Sequence, residues 1–444
     1  TILREYDIRG IVGETLKAPD ALALGRAYAT MLRATMQQAG GGRRVCLGYD
    51  GRLSSPELAL ALAQGLERSG VEVLQIGRGP TPMLYFATHH LNGDGGIQVT
   101  GSHNPPSHNG FKLMLGKSAM YGDQIQELGR LAAAGAFTDR RGGLTEIPLL
   151  PTYVDRLVRD FRHGRPLRVV WDAGNGATGE ALRAMTARLP GAHELLFAEI
   201  DGRFPNHHPD PTVPENLAQL IEEVQTSRAD LGIAFDGDGD RIGVVDGRGR
   251  IMFGDQLMQI LAADVLARHP GSPILADVKS SQTLFDEIER LGGRAVMGKT
   301  GHSLMKAAMA EMGAPLAGEM SGHICYADGF YGYDDALYVA IRLLNILGQS
   351  DLSLAGLRDR MAPMVSTPEL RFACPDERKF AVIDRVKAQL AAEGALVNAI
   401  DGVRVTTADG WWLLRASNTQ AVLVARAEAK DSGGLARLKE QISR

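Results

Sequence analysis

Short apolar runs alternate with stretches of helical periodicity along most of this chain. Residues 44–48, 168–171 and 273–276 are such runs, and each precedes a segment with apolar residues three or four positions apart. Compact apolar runs read as strands buried on both faces, and the wider period reads as amphipathic helices. The helix after the first run shows its ends in the sequence. Ser55 suits an N-cap, Pro56 the first helical position and Gly70 the position just past the end. Leu58, Leu62 and Leu66 lie between them on one stripe. Strands alternating with helices predict α/β architecture with mostly parallel sheets.

Aligning the strand ends exposes a repeat. The three runs end in Tyr49-Asp50-Gly51, Asp172-Ala173-Gly174 and Asp277-Val278-Lys279. A second strand is predicted in each unit, at 71–76, 195–200 and 294–297. A third strand in each leads into a glycine-containing loop with reactive side chains, at 100–105, 236–241 and 318–323. The expected fold is three related α/β domains with mixed sheets, over 1–147, 148–250 and 251–362. Met361-Ala362-Pro363-Met364-Val365-Ser366-Thr367-Pro368 resembles a linker. Beyond it, a helix near 380–393 and several short strands predict a C-terminal α+β domain over 363–444, free to rotate over the other three.

Charge and composition narrow the function. With 48 Lys and Arg against 52 Asp and Glu, the formal charge is −4, which argues against a nucleic-acid partner. No apolar run approaches the roughly 18–20 residues of a membrane span. The stretch 1–10 is charged and has no signal-peptide core. Cys46, Cys325 and Cys374 are scattered, without CxxC spacing, so they are expected as reduced core residues of a cytoplasmic protein.

Four loops carry candidate chemistry. Thr100-Gly101-Ser102-His103-Asn104-Pro105 follows a strand, where α/β sheets place their ligands. Gly101 allows a sharp turn that exposes the Ser102 hydroxyl, and His103 and Lys112 are the nearby base or cation a serine nucleophile needs. These are also the residues of an ordinary polar turn. Asp236-Gly237-Asp238-Gly239-Asp240-Arg241 sits between two strand-like runs. Asp-Gly marks a hairpin, but a plain turn gains nothing from three mutually repelling carboxylates. Oxygen ligands of this kind suit Mg²⁺. A calcium EF-hand loop does not fit, since Arg241 and Gly247 stand where that loop needs Gly and Glu. Gly318-Glu319-Met320-Ser321-Gly322-His323 offers a carboxylate, a hydroxyl and an imidazole to sugar hydroxyls. Arg415-Ala416-Ser417-Asn418-Thr419 offers a guanidinium and small polar groups to a phosphate. Arg9 and the pair Lys299 and His302 add basic character at two further loops. A rival signal is Gly174-Asn175-Gly176-Ala177-Thr178-Gly179, which matches the dinucleotide-binding pattern with Asp201 further on. It would make the chain an NAD-dependent oxidoreductase, but it leaves the serine, aspartate and arginine loops without a role.

Taken together and in this order, the motifs resemble those of the α-D-phosphohexomutases, most closely the bacterial phosphomannomutase/phosphoglucomutase group. Phe204-Pro205-Asn206-His207-His208-Pro209-Asp210 belongs to the same series, and the resemblance spans nearly the whole chain. It implies four domains around a central cleft, each giving one loop. It implies a phosphorylated Ser102, and Mg²⁺ held by Asp236, Asp238, Asp240 and a Ser102 phosphate oxygen. Glu319 and Ser321 would bind sugar hydroxyls, and Arg415, Ser417, Asn418 and Thr419 the phosphate that is not transferred. Tyr6, Arg9, His103, Lys112, Arg241, Lys279, His302 and His323 would line the cleft. The implied reaction interconverts hexose 1-phosphate and hexose 6-phosphate of glucose or mannose through a hexose 1,6-bisphosphate. A phosphoglucosamine mutase is the near alternative, against which Met320 speaks, and a non-catalytic sugar-phosphate sensor is the distant one.

Overall fold

The computed structural model describes residues 2–36, 43–418 and 420–443. The apolar runs form the strands of three successive sheets that share one central order. In the first, His108–Leu115, Gly95–Val99, Arg44–Tyr49 and Glu72–Arg78 lie side by side. The second repeats this with Ile242–Asp246, Leu231–Phe235, Leu167–Asp172 and Gly191–Leu196. The third uses Ile324–Tyr326, Leu316–Gly318, Pro273–Asp277 and Arg294–Gly298. In each sheet the last three named strands are parallel and the first is antiparallel to its neighbour. The three reactive loops are therefore equivalent. Each is the hairpin between the third strand of its repeat and the antiparallel strand that follows.

Ile8–Ile11 adds an antiparallel edge to the first sheet, against His108–Leu115. The fourth sheet is antiparallel and holds Val365–Ser366, Val422–Ala429, Gly410–Ala416, Val403–Thr406 and Leu396–Asn398, with Leu370–Ala373 also on Val422–Ala429. Part of the expected linker thus joins the tail sheet as Val365–Ser366.

Two local expectations need correction. The second strand of the second repeat is Gly191–Leu196, not 195–200. It is a largely exposed edge strand, so apolarity does not mark it. The apolar residues after it form a turn, with Phe197 at φ 49° and Ala198 buried against the helix Gly179–Thr186. In the first repeat the helix is Ser55–Arg68, with Ser54 rather than Ser55 at the N-cap position and no side-chain cap. The Ser55 hydroxyl instead donates to Asp50, and Gly70 takes the positive φ expected past the helix end.

Strand alternation divides the core of the first sheet. Val45, Leu47 and Val73 face one apolar cluster shared with the helices Ala18–Met36 and Ser55–Arg68. Cys46, Leu74 and Ile76 face the other way, into a large cluster containing Trp171, Phe235, Ile274, Leu316 and Leu354. That second cluster runs through all three repeats. The tail has its own small core around Val403, Val405, Trp412 and Leu438. It docks on the third repeat through Val278, Trp411 and Leu413, and through Arg404, whose Nη1 donates to the Val278 and Ser280 carbonyls at 2.7 and 2.8 Å. The three cysteines are buried and unpaired. Among the described residues no helix is long and apolar enough to cross a membrane.

Candidate active site

The serine loop is held from beneath by a residue with no signal in the sequence. Arg52 is buried and donates to the carbonyls of Pro105, His108, Ser102 and Asn104 at 2.6–2.9 Å. Four acceptors exhaust its terminal nitrogens and fix the loop's backbone. Gly101 makes room for it, because a Cβ there would lie 2.4 Å from Arg52 Nε. The turn itself falls on Ser102, at φ 49°, a conformation that side chains rarely adopt and that marks functional loops. Ser102 is not exposed as expected but 2% accessible. The loops of the first two repeats meet face to face, and a Cβ on Gly237 would stand 2.3 Å from the Ser102 carbonyl oxygen.

Burial sets the Ser102 hydroxyl against the aspartate loop. Its Oγ donates to Asp236 Oδ2 at 2.8 Å and lies 3.2 Å from His103 Nδ1. The other oxygen of Asp236 caps its own turn, accepting the amides of Gly239, Asp240 and Arg241 at 3.0–3.2 Å. Asp236, Asp238 and Asp240 are fully buried, with one oxygen of each within 4.8 Å of the others. Lys112 projects from His108–Leu115 onto two of them, at 2.8 Å from Asp238 and closer to Asp240. Thr81 also donates to Asp238, and Thr100 Oγ1 lies 3.1 Å from it with its one proton shared toward Asp50.

The electrostatics follow from this packing. Burial, then Asp238 and Asp240, push the Asp236 carboxyl well above its ordinary range. Burial would do the same to Asp238, but the Lys112 ammonium outweighs it and holds that carboxyl low. Lys112 is disfavoured by burial yet held charged by Asp238 and Asp240. Burial, helped by Arg241 and Arg9, keeps His103 neutral. Asp238 Oδ1 and Asp240 Oδ1 are buried with no hydrogen-bond partner. Counted as fully ionised, the three carboxylates exceed Lys112 and Arg241 by one negative charge, and the raised Asp236 carboxyl is the mark of that excess. Orphaned carboxylate oxygens around a buried excess of charge fit a hard divalent cation.

The loop 318–323 of the third repeat closes on the aspartate loop through Arg241 and His323, which form an isolated antiparallel bridge. Arg241 Nε donates to His323 Nε2 at 2.9 Å, so the His323 proton sits on Nδ1 and points to Asp334 at 2.8 Å. Asp334 also takes Lys306 Nζ at 2.7 Å. Neither Asp334 nor Lys306 was legible in the sequence. His302, buried, stacks on His323 with ring centroids 5.1 Å apart and meets the Tyr6 ring at 6.1 Å. Glu319 accepts the Gly301 amide at 3.0 Å and the Ser321 hydroxyl at 3.1 Å, and burial raises its carboxyl.

The tail loop reaches the same group of side chains. Tyr6 Oη donates to the Thr300 carbonyl at 2.8 Å and accepts from Asn418 Nδ2 at 2.5 Å. Arg415 Nε pairs with Asp401 at 3.0 Å, and the same Asp401 oxygen accepts the Thr300 amide. The Ser417 hydroxyl accepts the Gln420 amide at 3.2 Å. Lys279 reaches Glu369 of the tail at 3.4 Å. Arg9 lies by the serine loop, paired with Asp7 at 2.6 Å and donating to Asn104 at 3.3 Å. Thr419 lies outside the described residues. The remaining candidates thus form one band from Arg9 to Asn418.

The dinucleotide-like run does other work. A Cβ on Gly179 would meet the Ala198 carbonyl at 2.1 Å, and the Ala177 amide donates to Gly237 at 2.9 Å. Its glycines are there for close packing behind the aspartate loop, and Asp201 is spent on Arg203.

Four family models match in succession. Domains I, II and III of the phosphoglucomutase/phosphomannomutase alpha/beta/alpha series match residues 1–138, 151–249 and 253–364, and the C-terminal domain matches 369–444. A phosphomannomutase/phosphoglucomutase of Pseudomonas putida is 44% identical over 440 residues, covering 99% of this chain and 94% of that one. A phosphoglucomutase of Neisseria gonorrhoeae is 43% identical over 444 residues, covering 99% and 95%. The crystal structure of a phosphoglucomutase/phosphomannomutase family protein from Burkholderia thailandensis superposes with a TM-score of 0.93 at 44% identity, covering 100% and 96%.

Proposed function

The chain belongs to the phosphoglucomutase/phosphomannomutase family, and from that premise we propose how its residues share the work of a hexose phosphate mutase. It is an isomerase interconverting hexose 1- and 6-phosphates. The observation that carries the assignment is the Ser102 hydroxyl, 2.8 Å from Asp236 in a buried aspartate cluster. Ser102 is the phosphoryl carrier. In the first transfer the phosphoserine P–O bond breaks, a bond forms to the free sugar hydroxyl, and that hydroxyl loses its proton. The product is a hexose 1,6-bisphosphate, which turns over in the cleft and returns its other phosphoryl group to Ser102. Added bisphosphate also primes unphosphorylated enzyme.

Such transfers depend on positioning and charge neutralisation. A phosphoserine brings a charge of about −1.5 to −2, and Lys112, Arg241 and Arg9 surround it. Asp236, Asp238, Asp240 and a Ser102 phosphate oxygen would hold Mg²⁺, which offsets charge on the transferring group. His103, Lys112 and His323 are the groups placed to handle the hydroxyl proton. Glu319 and Ser321 take the sugar hydroxyls O3 and O4, which are common to glucose and mannose. Arg415, Ser417, Asn418 and Thr419 hold the other phosphate, helped by Tyr6, Lys279 and His302. Docking of the tail over the cleft excludes water from the phosphoserine. Three buried, unpaired thiols fit a cytoplasmic location.

Phosphorus NMR tests the reading. Glucose 1-phosphate and mannose 1-phosphate, each with Mg²⁺ and a trace of glucose 1,6-bisphosphate, should both become 6-phosphates without inorganic phosphate. Inorganic phosphate as the only product would make the chain a phosphatase instead.

A narrower test addresses the tail loop. Asp401 fixes Arg415 by Nε and leaves its terminal nitrogens without a partner among the described residues. Those nitrogens suit a bidentate phosphate contact. Arg415→Ala should raise KM for glucose 1-phosphate by about 10–100-fold, the worth of a lost charge-assisted contact, with a smaller change in kcat. An unchanged KM would give this loop another role.

A further inference from the structure

The three strand-end aspartates that revealed the repeat have no part in the chemistry above, yet all are buried. Asp50, Asp172 and Asp277 are 2%, 0% and 0% exposed. Asp172 and Asp277 end the first strand of their repeats and Asp50 directly follows the first strand of its own, each beside the strand that leads into the reactive loop. We propose that they are positioning residues, each locking the loop that its repeat presents to the cleft.

The contacts differ as the loops differ. Asp50 Oδ1 accepts the Arg52 amide at 3.0 Å and the Ser55 hydroxyl at 2.5 Å, which anchors it to its own helix. Its Oδ2 crosses to the serine loop and accepts Thr100 Oγ1 at 2.8 Å and the Gly101 amide at 3.1 Å. Asp277 Oδ1 accepts Ser280 Oγ at 2.7 Å locally and the Met320 amide of the sugar loop at 3.1 Å. Its Oδ2 takes Thr300 Oγ1 at 3.2 Å. Asp172 accepts the Gly174 amide at 2.8 Å and holds His207 Nε2 at 2.9 Å. That segment reaches the aspartate loop two residues later, where the Pro209 carbonyl accepts the Gly237 amide at 3.2 Å.

Acceptor-only chemistry explains the residue type. An ionised carboxylate can face donors on both oxygens, whereas an amide must turn an N–H toward one of them. Buried donors left unpaired by such a change cost more than the bond itself is worth. The loops they hold must be placed to within a fraction of an ångström for transfer.

The paired test is Asp50→Asn and Asp277→Asn in the full chain, with the alanine variants alongside. Hydrogen exchange is read on 100–104 and 319–323, and kinetics on glucose 1-phosphate. Asp50→Asn should speed exchange in 100–104 alone and lower kcat by about 10²-fold with KM within about twofold, as misplacement of a reacting group does. Asp277→Asn should speed exchange in 319–323 alone and raise KM by about tenfold, with less effect on kcat. Loosening of both loops by either variant, or unchanged exchange in both, would overturn the proposal. The kinetic arm rests on the mutase reading. Exchange does not, so an inactive wild type would refute that reading while exchange still decided the clamps.

Discussion

Ser102→Ala should lower mutase turnover by about 10⁴-fold, the scale on which deletion of a covalent nucleophile is felt. The argument is structural as much as chemical. Ser102 Oγ is the only hydroxyl hydrogen-bonded to Asp236 among the described residues; Thr81 directs its hydroxyl to Asp238, and Thr100 directs its own to Asp50, with Asp238 further off. No neighbouring hydroxyl is placed to take over. Alanine tolerates the positive φ at this position no worse than serine, so the loop held by Arg52 should keep its shape. A melting temperature near wild type would establish that. The deciding measurement is label transfer from phosphorus-32 glucose 1,6-bisphosphate. Wild type should retain label on protein, and the variant none. Labelled Ser102→Ala, or turnover close to wild type, would remove Ser102 from the carrier role.

Asp238→Asn should raise the Mg²⁺ concentration for half-maximal activity by at least about 100-fold, beyond what loss of an outer-shell partner usually costs. Asp238 Oδ2 is committed to Lys112 and Thr81, while Oδ1 has no partner. An amide must put N–H at one of these places. Facing Lys112 it meets an ammonium, and facing the other carboxylates it replaces a ligand oxygen. Either orientation damages the site, and excess Mg²⁺ should restore only part of the activity. Calorimetric titration with Mg²⁺ reads the same loss without turnover. A wild-type titration curve would refute the metal assignment.

The sequence showed those parts of the site that lie on short loops after apolar strands. Asp236 to Arg241 is legible because three carboxylates in five residues demand a cation, whatever the fold. The loops at 100–105 and 318–323 are legible because buried parallel strands are near-continuous apolar runs, so their ends are sharp. Residues that act across large separations left no such trace. Arg52 holds the Ser102 carbonyl from fifty residues away, Asp334 orients His323 from the far side of a hairpin, and Asp401 pairs with both Arg415 and Thr300. Each looks like an ordinary surface charge until the sheets assemble. The exposed edge strand Gly191–Leu196 was misplaced for the opposite reason, since its apolar signal belongs to the turn after it. The burial of Ser102 was also hidden, because it arises from two loops of different repeats meeting.

The apolar cluster shared by all three repeats bears on how the chain is made. Its members begin at Cys46 and end at Leu354. A ribosome adds roughly 5–20 residues each second, N-terminus first. The helix Thr81–His90 covers that face of the first sheet, and its own outer side waits for the later repeats, where Tyr85 meets Tyr333 and Phe86 meets Tyr153. Through that interval Tyr85 and Phe86 remain open to chaperones and to other nascent chains. The tail follows the three repeats and closes a core of its own. Three repeats that look independent in topology are bound to one another during synthesis, and the tail leans on them through the single face that carries Trp411, Leu413 and Arg404.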